Sequence, residues 1–192
     1  MIDTDIILPK NFADIQKKSE EIQFSMPSDL QTGSLLRTLV SSKPGGSFLE
    51  LGTGTGLSLS WIVEAMDDSS TVITVDNSET YLSIARIFFG KDQRVSIICE
   101  DGTEWIKTHQ GEKFDLIFAD AWPGKYSELN ENLQLLKKGG FLILDDMIHQ
   151  PNWPDGHEEN VDKLVTYLST RQDLRLTKMN WSTGLIIVTK IN

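Results

Sequence analysis

Glu50-Leu51-Gly52-Thr53-Gly54-Thr55-Gly56 is the stretch of this sequence whose residue types and spacing best suit chemistry. Glycines at 52, 54 and 56 let the backbone turn sharply and approach a ligand closely. A helix beginning at Leu57 would present free N–H groups and a positive dipole end to a carboxylate or phosphate. The spacing is not that of a dinucleotide fingerprint, whose third glycine would fall at Leu57, nor of a Walker A loop, which needs Gly-Lys-Ser/Thr. Asp76 lies 24 residues beyond Gly52. There a carboxylate can accept both hydroxyls of a nucleoside ribose, or cap the helix from Glu79. Asp101 can reach an adenine amino group or cap a helix from Thr103. Asp120, Asp145 and Asp146 add three carboxylates further along. Two carboxylates about 4 Å apart repel by about 4 kcal/mol at an effective dielectric near 20. Three that converge need a cation, a proton, or a geometry that separates them.

The elements that must position these residues alternate. Strands are expected at Ser47–Leu51, Thr71–Val75, Arg94–Cys99, Phe114–Ala119 and Phe141–Leu144, from their apolar, β-branched runs. Helices are expected between them at Leu57–Met66, Glu79–Phe89, Thr103–Thr108 and Ser127–Leu136, the last stopped by Lys137-Lys138-Gly139-Gly140. A helix over Glu158–Thr170 precedes strands at Leu174–Met179 and Gly184–Thr189, whose short connection Asn180–Thr183 makes them an antiparallel hairpin. Two helices come first: Asn11–Gln23, with Phe12, Ile15 and Ile22 on one face, and a second capped by Ser28 or Asp29 and carrying Leu30, Leu35, Leu36, Leu39 and Val40. The fold class is therefore α/β: a Rossmann-like, doubly wound, mostly parallel seven-stranded sheet with a C-terminal antiparallel hairpin and N-terminal helices. Residues 1–43 form a helical extension packed on a domain spanning 44–192. Asp76, Asp101, Asp120 and Asp145 each end a strand, so they share the rim where open parallel sheets bind ligands.

Composition narrows the partners. At 192 residues, 39% hydrophobic and 24% charged, the chain can bury one sizeable core. A net charge of −10 argues against non-specific nucleic-acid binding and against an anionic membrane surface. No apolar run approaches a membrane span of about 20 residues, and Met1-Ile2-Asp3-Thr4-Asp5 lacks a basic, apolar leader. A single cysteine, Cys99, excludes an internal disulfide framework and is expected to be an inert core thiol. A cytoplasmic protein is the simplest reading.

With these motifs in order, the sequence resembles a class I S-adenosylmethionine (SAM)-dependent methyltransferase, and more closely the catechol and caffeoyl-coenzyme A O-methyltransferase group. The resemblance rests on Glu50-Leu51-Gly52-Thr53-Gly54-Thr55-Gly56 with Ser58, on Val75-Asp76, Glu100-Asp101 and Ala119-Asp120-Ala121-Trp122, and on Met26-Pro27-Ser28 before Gly33-Ser34-Leu35-Leu36. It runs from about Phe24 to Asp146. It implies a SAM site lined by Met26, Glu50, Gly52, Thr53, Gly54, Gly56, Ser58, Asp76, Asn77, Asp101 and Gly102. Asp120 would lie near the amino end of the cofactor, and Trp122 would pack on the cofactor or the acceptor. It also implies a divalent metal, Mg²⁺ or a similar hard ion, between Asp120, Asp145 and Asp146. Asp146 can instead turn outward, because neighbouring strand residues alternate faces. The implied partners are a small hydroxylated acceptor and a second copy of the chain in a homodimer.

One departure stands out. The family places a lysine, as general base, three residues after the first metal aspartate; with Tyr126 matching the family's tyrosine, that position is Pro123. Lys125 stands two residues along. His149 and His157, in the loop Asp146–His157 that walls the same rim, can replace the base or simply stabilise the loop. Asp120, Lys125 and His149 are thus the candidate catalytic residues. Trp61 and Trp105 are expected to pack on helix faces, and Trp181 to be structural. Two other readings stay open: a metal-independent methyltransferase acting on nitrogen or on a protein, and a cofactor-binding module without catalysis.

Overall fold

Strand β1 (Ser47–Leu51) follows the turn at Lys43–Gly46, and four of its five residues are buried. It pairs in parallel with β2 (Thr71–Asp76) on one side and β4 (Phe114–Ala119) on the other. β3 (Val95–Cys99) extends the sheet beyond β2, and β5 (Leu136–Leu144) extends it beyond β4. The antiparallel strands β6 (Leu174–Met179) and β7 (Leu185–Lys190) close the other edge, giving the order β3-β2-β1-β4-β5-β7-β6. This is the mixed seven-stranded sheet expected from the sequence. The computed structural model describes residues 3–150 and 153–192; Met1, Ile2, Pro151 and Asn152, part of the acidic N-terminus and of the Asp146–His157 loop, lie outside the described residues.

Alternation along the strands divides the core in two. Phe48, Phe118 and Ile143 face helices α1 (Phe12–Glu21), α2 (Leu30–Ser41), α3 (Leu57–Ala65) and α4 (Glu79–Phe89), meeting Phe12, Leu36, Trp61 and Ile84. Leu49, Ile117, Leu142 and Leu144 face α5 (Gly102–Thr108), α6 (Leu129–Leu135) and α7 (His157–Thr170), meeting Trp105, Leu133 and Leu164. Each such side chain, fully buried, contributes about 1.5–3 kcal/mol. Trp61 and Trp105 are buried helix-face residues, and Trp181 packs against the first core while its indole donates to Asp3 at 2.9 Å. Among the described residues no helix is long and apolar enough to cross a membrane.

Four local expectations change. Lys137–Gly140 does not lie between a helix and a strand but inside β5, where the register shifts opposite Phe114–Leu116 and Gly139 takes φ +76°. A glycine in the left-handed region carries the bulge, and Lys137 is tied across to Asp115 at 2.7 Å. Helix α6 starts at Leu129, because Ser127 is bridged to Pro123 and Glu128 takes φ +50°. Cys99 is exposed rather than buried, because β3 is an edge strand with one neighbour. Ile22 is exposed, and Ser19, hydrogen-bonded to Thr55 at 2.7 Å, completes the inner face of α1 with Phe12 and Ile15.

Candidate active site

The strand order changes direction at β1, whose neighbours are β2 and β4, so the exits of those three strands open a crevice at one rim. Gly52 donates its N–H to Val75 at 2.9 Å, and Asp120 donates to Leu51 at 2.9 Å. Gly52 has φ +100°, and a Cβ there would lie 2.7 Å from the carbonyl oxygen of Asp120. Only glycine lets the two strand exits run this close.

Glu50, one residue before the strand end, is fully buried on the α3 side. Its Oε2 accepts from the Thr74 hydroxyl at 2.5 Å, while Oε1 has no hydrogen-bond partner. Burial pushes the carboxyl up to about 7, against the pull of the Ser58 and Thr74 hydroxyls. An orphaned buried carboxylate oxygen beside a glycine loop is a receptor for a cationic or hydrogen-bonding ligand. Asp76 accepts from the Gly54 N–H and from the Ser78 N–H, each at 2.8 Å, so its two oxygens are oriented by backbone and keep lone pairs for a ligand. Asp101 caps α5, accepting from Thr103 at 2.9 Å and Glu104 at 3.2 Å. It does so while lining the same hollow: a cleft of about 380 Å³ bounded by Gly52, Asp76, Asn77, Asp101, Gly102 and Trp122. A second hollow of about 200 Å³, with Met26, Gly54, Asp76 and Asp120 in its walls, shares residues with the first. Thr53, Ser58 and Ser28 line a narrow inner recess beside it. The structure thus brings the expected cofactor residues onto one continuous surface, Gly56 serving as the left-handed N-cap of α3 and Glu50 standing behind the loop.

Past Asp120 the rim is a cluster of charge. Asp120 is held by the Ser28 hydroxyl at 2.9 Å, and its carboxyl is raised well above the carboxylate range by burial and by Asp145 beside it. Asp145 is buried; its Oδ1 accepts from the Thr183 hydroxyl and from the Asp146 N–H at 2.8 Å, and burial pushes it to about 6. Asp146 takes φ +54°, so the strand alternation that would turn it outward no longer applies, and burial raises it too. Lys125 is 5% exposed and donates from Nζ to the Asp145 carbonyl oxygen at 2.7 Å. Its ammonium lies within electrostatic reach of all three carboxylates.

The two histidines part. His149 is exposed and engaged by Glu158 at 2.7 Å, away from the hollows. His157, at the start of α7, packs against Tyr126 with ring centroids 5.0 Å apart and against Trp153 at 4.5 Å, with Trp122 at 5.8 Å. Burial and the Lys125 charge lower its pKa, so the imidazole is neutral near pH 7. These rings form a wall beside Asp146, and Trp122 is half exposed at its outer edge.

The three aspartates of the metal expectation come together at this rim. Asp120 Oδ2 is engaged by Ser28 and Asp145 Oδ1 by Thr183 and the Asp146 N–H. Among the described residues no set of three or more His, Cys, Asp or Glu side chains is grouped closely enough to hold an ion. Beyond these bonds the three carboxylates keep lone pairs to spare.

Other residues enter the site in roles the sequence did not assign them. Phe24 lies over Gly54 and packs on Tyr81 with centroids 5.0 Å apart, and both line the second hollow. Ser28, a candidate helix cap, instead holds Asp120; Thr183 reaches Asp145 across 38 residues.

Comparison with known proteins bears on the family and the fold. Catechol O-methyltransferase B of Danio rerio is 33% identical over 135 residues, covering 65% of this chain and 51% of that protein. A probable caffeoyl-CoA O-methyltransferase of Dictyostelium discoideum is 27% identical over 201 residues, covering 93% and 86%. The chain spans about half the length of the first of these relatives. Two crystal structures share the fold: the O-methyltransferase TomG of Streptomyces achromogenes in complex with SAM (TM-score 0.84, 18% identity, 98% and 93% covered), and an O-methyltransferase of Bacillus cereus in complex with SAH (0.83, 20%, 98% and 94%). The family model described as O-methyltransferase matches residues 8–188, nearly the whole sequence, and the chain belongs to that family.

Proposed function

We propose that this protein transfers the methyl group of SAM to a hydroxyl oxygen of a small acceptor. The observation that carries the reading is the continuous rim crevice with two oriented carboxylates, Asp76 in its wall and the half-satisfied Glu50 behind the glycine loop. Asp76 and Asn77 take the ribose hydroxyls, Asp101 and Gly102 border the base, and Gly52–Gly56 approach the methionine portion with Met26 and Ser58 alongside. The cofactor supplies an electrophilic methyl carbon on a positively charged sulfur. The acceptor oxygen forms the new C–O bond as the C–S bond breaks, and the hydroxyl proton must leave.

What the chain itself contributes is orientation, exclusion of water and a place for that proton. Trp122, Tyr126 and His157 offer a flat wall against which a ring or acyl chain can lie. Lys125 has two N–H bonds beyond the one given to Asp145, available to hold an acceptor oxygen. His157, neutral near pH 7, is better placed than His149 to take the proton, being packed into the wall rather than out in solvent. Asp120, beside the cofactor hollow, orients the cofactor end rather than the acceptor. The resemblance also implied a homodimer and a divalent ion; the reading of the transfer needs neither.

Incubation with methyl-labelled SAM and a panel of small phenols, acyl thioesters and alcohols tests this reading. Label on an acceptor oxygen, lost in Asp76→Asn, supports it. Label on nitrogen or on a protein substrate alone overturns the choice of oxygen.

A further inference from the structure

We propose that the acceptor carries an uncharged, hydroxylated tail, a sugar or a similar polyol, and that this tail lies in a groove between α6 and α7. The inference rests on the methyltransferase reading and names the far end of its acceptor.

The groove has a volume of about 410 Å³ and shares only Trp122 with the larger cofactor cleft. Small-molecule sites run from roughly 300 to 1,000 Å³. One wall is α7, where Asn160, Lys163, Leu164 and Tyr167 fall at i, i+3, i+4 and i+7 and so share a helix face. Leu164 is buried and seats that face on the core. His157 stands one turn earlier on the same face, and its ring belongs to the acceptor wall. From His157 to Tyr167 the helix rises about 15 Å, at 1.5 Å per residue. The other wall is the start of α6, with Leu129 and Asn130, and the near end is made by Trp122 and Tyr126 of the acceptor wall. The groove therefore begins where an acceptor ring would lie and continues outward along α7.

Its polar groups are set in advance. Arg171 is held by Asp173 through two bonds at 2.7 Å, donates to the Tyr167 hydroxyl at 2.8 Å and to Asn130 Oδ1 at 3.0 Å. The Tyr167 hydroxyl in turn donates to Asn130 Oδ1. The chain of bonds fixes the Tyr167 ring, and with Oδ1 so used Asn130 keeps its two N–H donors for a ligand. Trp122 is 51% exposed and Tyr167 37%, two large rings in a groove otherwise lined by amides and charges. An aromatic ring packs on the C–H face of a sugar, whose hydroxyls then meet amides such as Asn130 and Asn160.

Charge excludes the other tails. Among the lining residues Lys125 and Lys163 balance Glu128 and Glu131. Three of these are already engaged: Lys125 by the Asp145 carbonyl at 2.7 Å, Glu128 by the Thr103 hydroxyl at 2.9 Å, and Lys163 by Glu159 at 3.5 Å. An anionic tail would approach a chain of net charge −10 and find no surplus of positive charge. An apolar tail would strip water from the amides and return no hydrogen bond. An uncharged polyol meets both conditions.

The test titrates the isotope-labelled full chain, saturated with SAH, with phenyl β-glucoside, phenol and phenyl phosphate, followed by NMR. The glucoside should bind at least about fivefold tighter than phenol, through one stacked ring and one or two hydrogen bonds. It should shift the side-chain amide signals of Asn130 and Asn160. Tyr167→Ala should abolish the glucoside's advantage while the affinities for SAH and phenol stay within about twofold of wild type. Asn160→Ala should reduce the same advantage without touching the Arg171–Tyr167–Asn130 chain, and it decides the matter if Tyr167→Ala fails to fold. Equal affinity for glucoside and phenol overturns the proposal, as do glucoside shifts confined to residues outside the groove. Tightest binding of phenyl phosphate, or a glucoside affinity unchanged in the variants, overturns it too. Absence of SAH binding would overturn the methyltransferase reading instead, and the same titration without SAH would still read the groove by itself.

Discussion

Replacing Glu50 by glutamine should make the protein more stable at alkaline pH and leave it nearly unchanged in acid. Glu50 is fully buried, with one oxygen on Thr74 and the other without a partner. Its carboxyl titrates near 4.5 in the unfolded chain and is pushed to about 7 by burial in the fold. Between those values the folded state holds a proton that the unfolded state has lost, so stability falls as pH rises. The slope is at most about 1.4 kcal/mol per pH unit, and by pH 8 the accumulated cost is about 3 kcal/mol. Glutamine keeps an acceptor for Thr74 and cannot ionise. Urea unfolding of both proteins at pH 5 and pH 8 measures the effect. With a urea m-value of about 2–3 kcal/mol/M for a chain of this size, the midpoint of Glu50→Gln should exceed that of wild type by about 1 M at pH 8. The gap should shrink to about a quarter of that at pH 5. Asp120, Asp145 and Asp146 are raised in the same direction and tilt both curves alike, so the difference between the two proteins isolates Glu50. A gap of the same size at both pH values would refute the reasoning, since it would arise from packing rather than ionisation. A destabilising charge kept inside a fold is a sign of function, and Glu50→Gln should also weaken SAH binding.

Other consequences are direct. Gly52→Ala forces a Cβ to within 2.7 Å of the Asp120 carbonyl oxygen at φ +100°; it should cost about 1–3 kcal/mol in urea unfolding and weaken SAH binding, and an unchanged midpoint would contradict the close approach. Thr183→Val removes the hydroxyl that holds the Asp145 carboxyl down. Its titration, followed by carboxyl carbon NMR, should then move above its wild-type value near 6, and a shift downward would show that burial is not the dominant influence there.

The sheet was legible because its strands are short, apolar and each punctuated by a turn. Glu79–Phe89, Phe114–Ala119 and Leu174–Met179 fall where periodicity places them. The rim crevice was legible for a related reason: a glycine loop and Asp76 at consecutive strand ends can only face the same way. What failed depended on backbone detail or on distant neighbours. Lys137–Gly140 carries both a turn signature and a bulged strand, and only the pairing of Leu136 with Phe114 decides between them. Asp146 departs from alternation through a left-handed backbone at a non-glycine residue, which no pattern announces. The burial of Lys125 follows from the seat that Leu51 and Asn132 give Gly124, two contacts remote in sequence. His149 and His157 are alike as letters and both pack on Trp153, and only the packing of Trp122 and Tyr126 on His157 separates them. Cys99 sits in an apolar run, yet β3 is an edge, and edge position is a property of the whole sheet.

Calorimetric titration of SAH into the purified protein, beside Asp76→Asn, tests the central claim most directly. The account predicts one site per chain in wild type, present in EDTA, and an affinity reduced at least about tenfold in the variant, because Asp76 is the carboxylate oriented into the rim crevice. No heat of binding in wild type, or equal affinity in the two proteins, would contradict it.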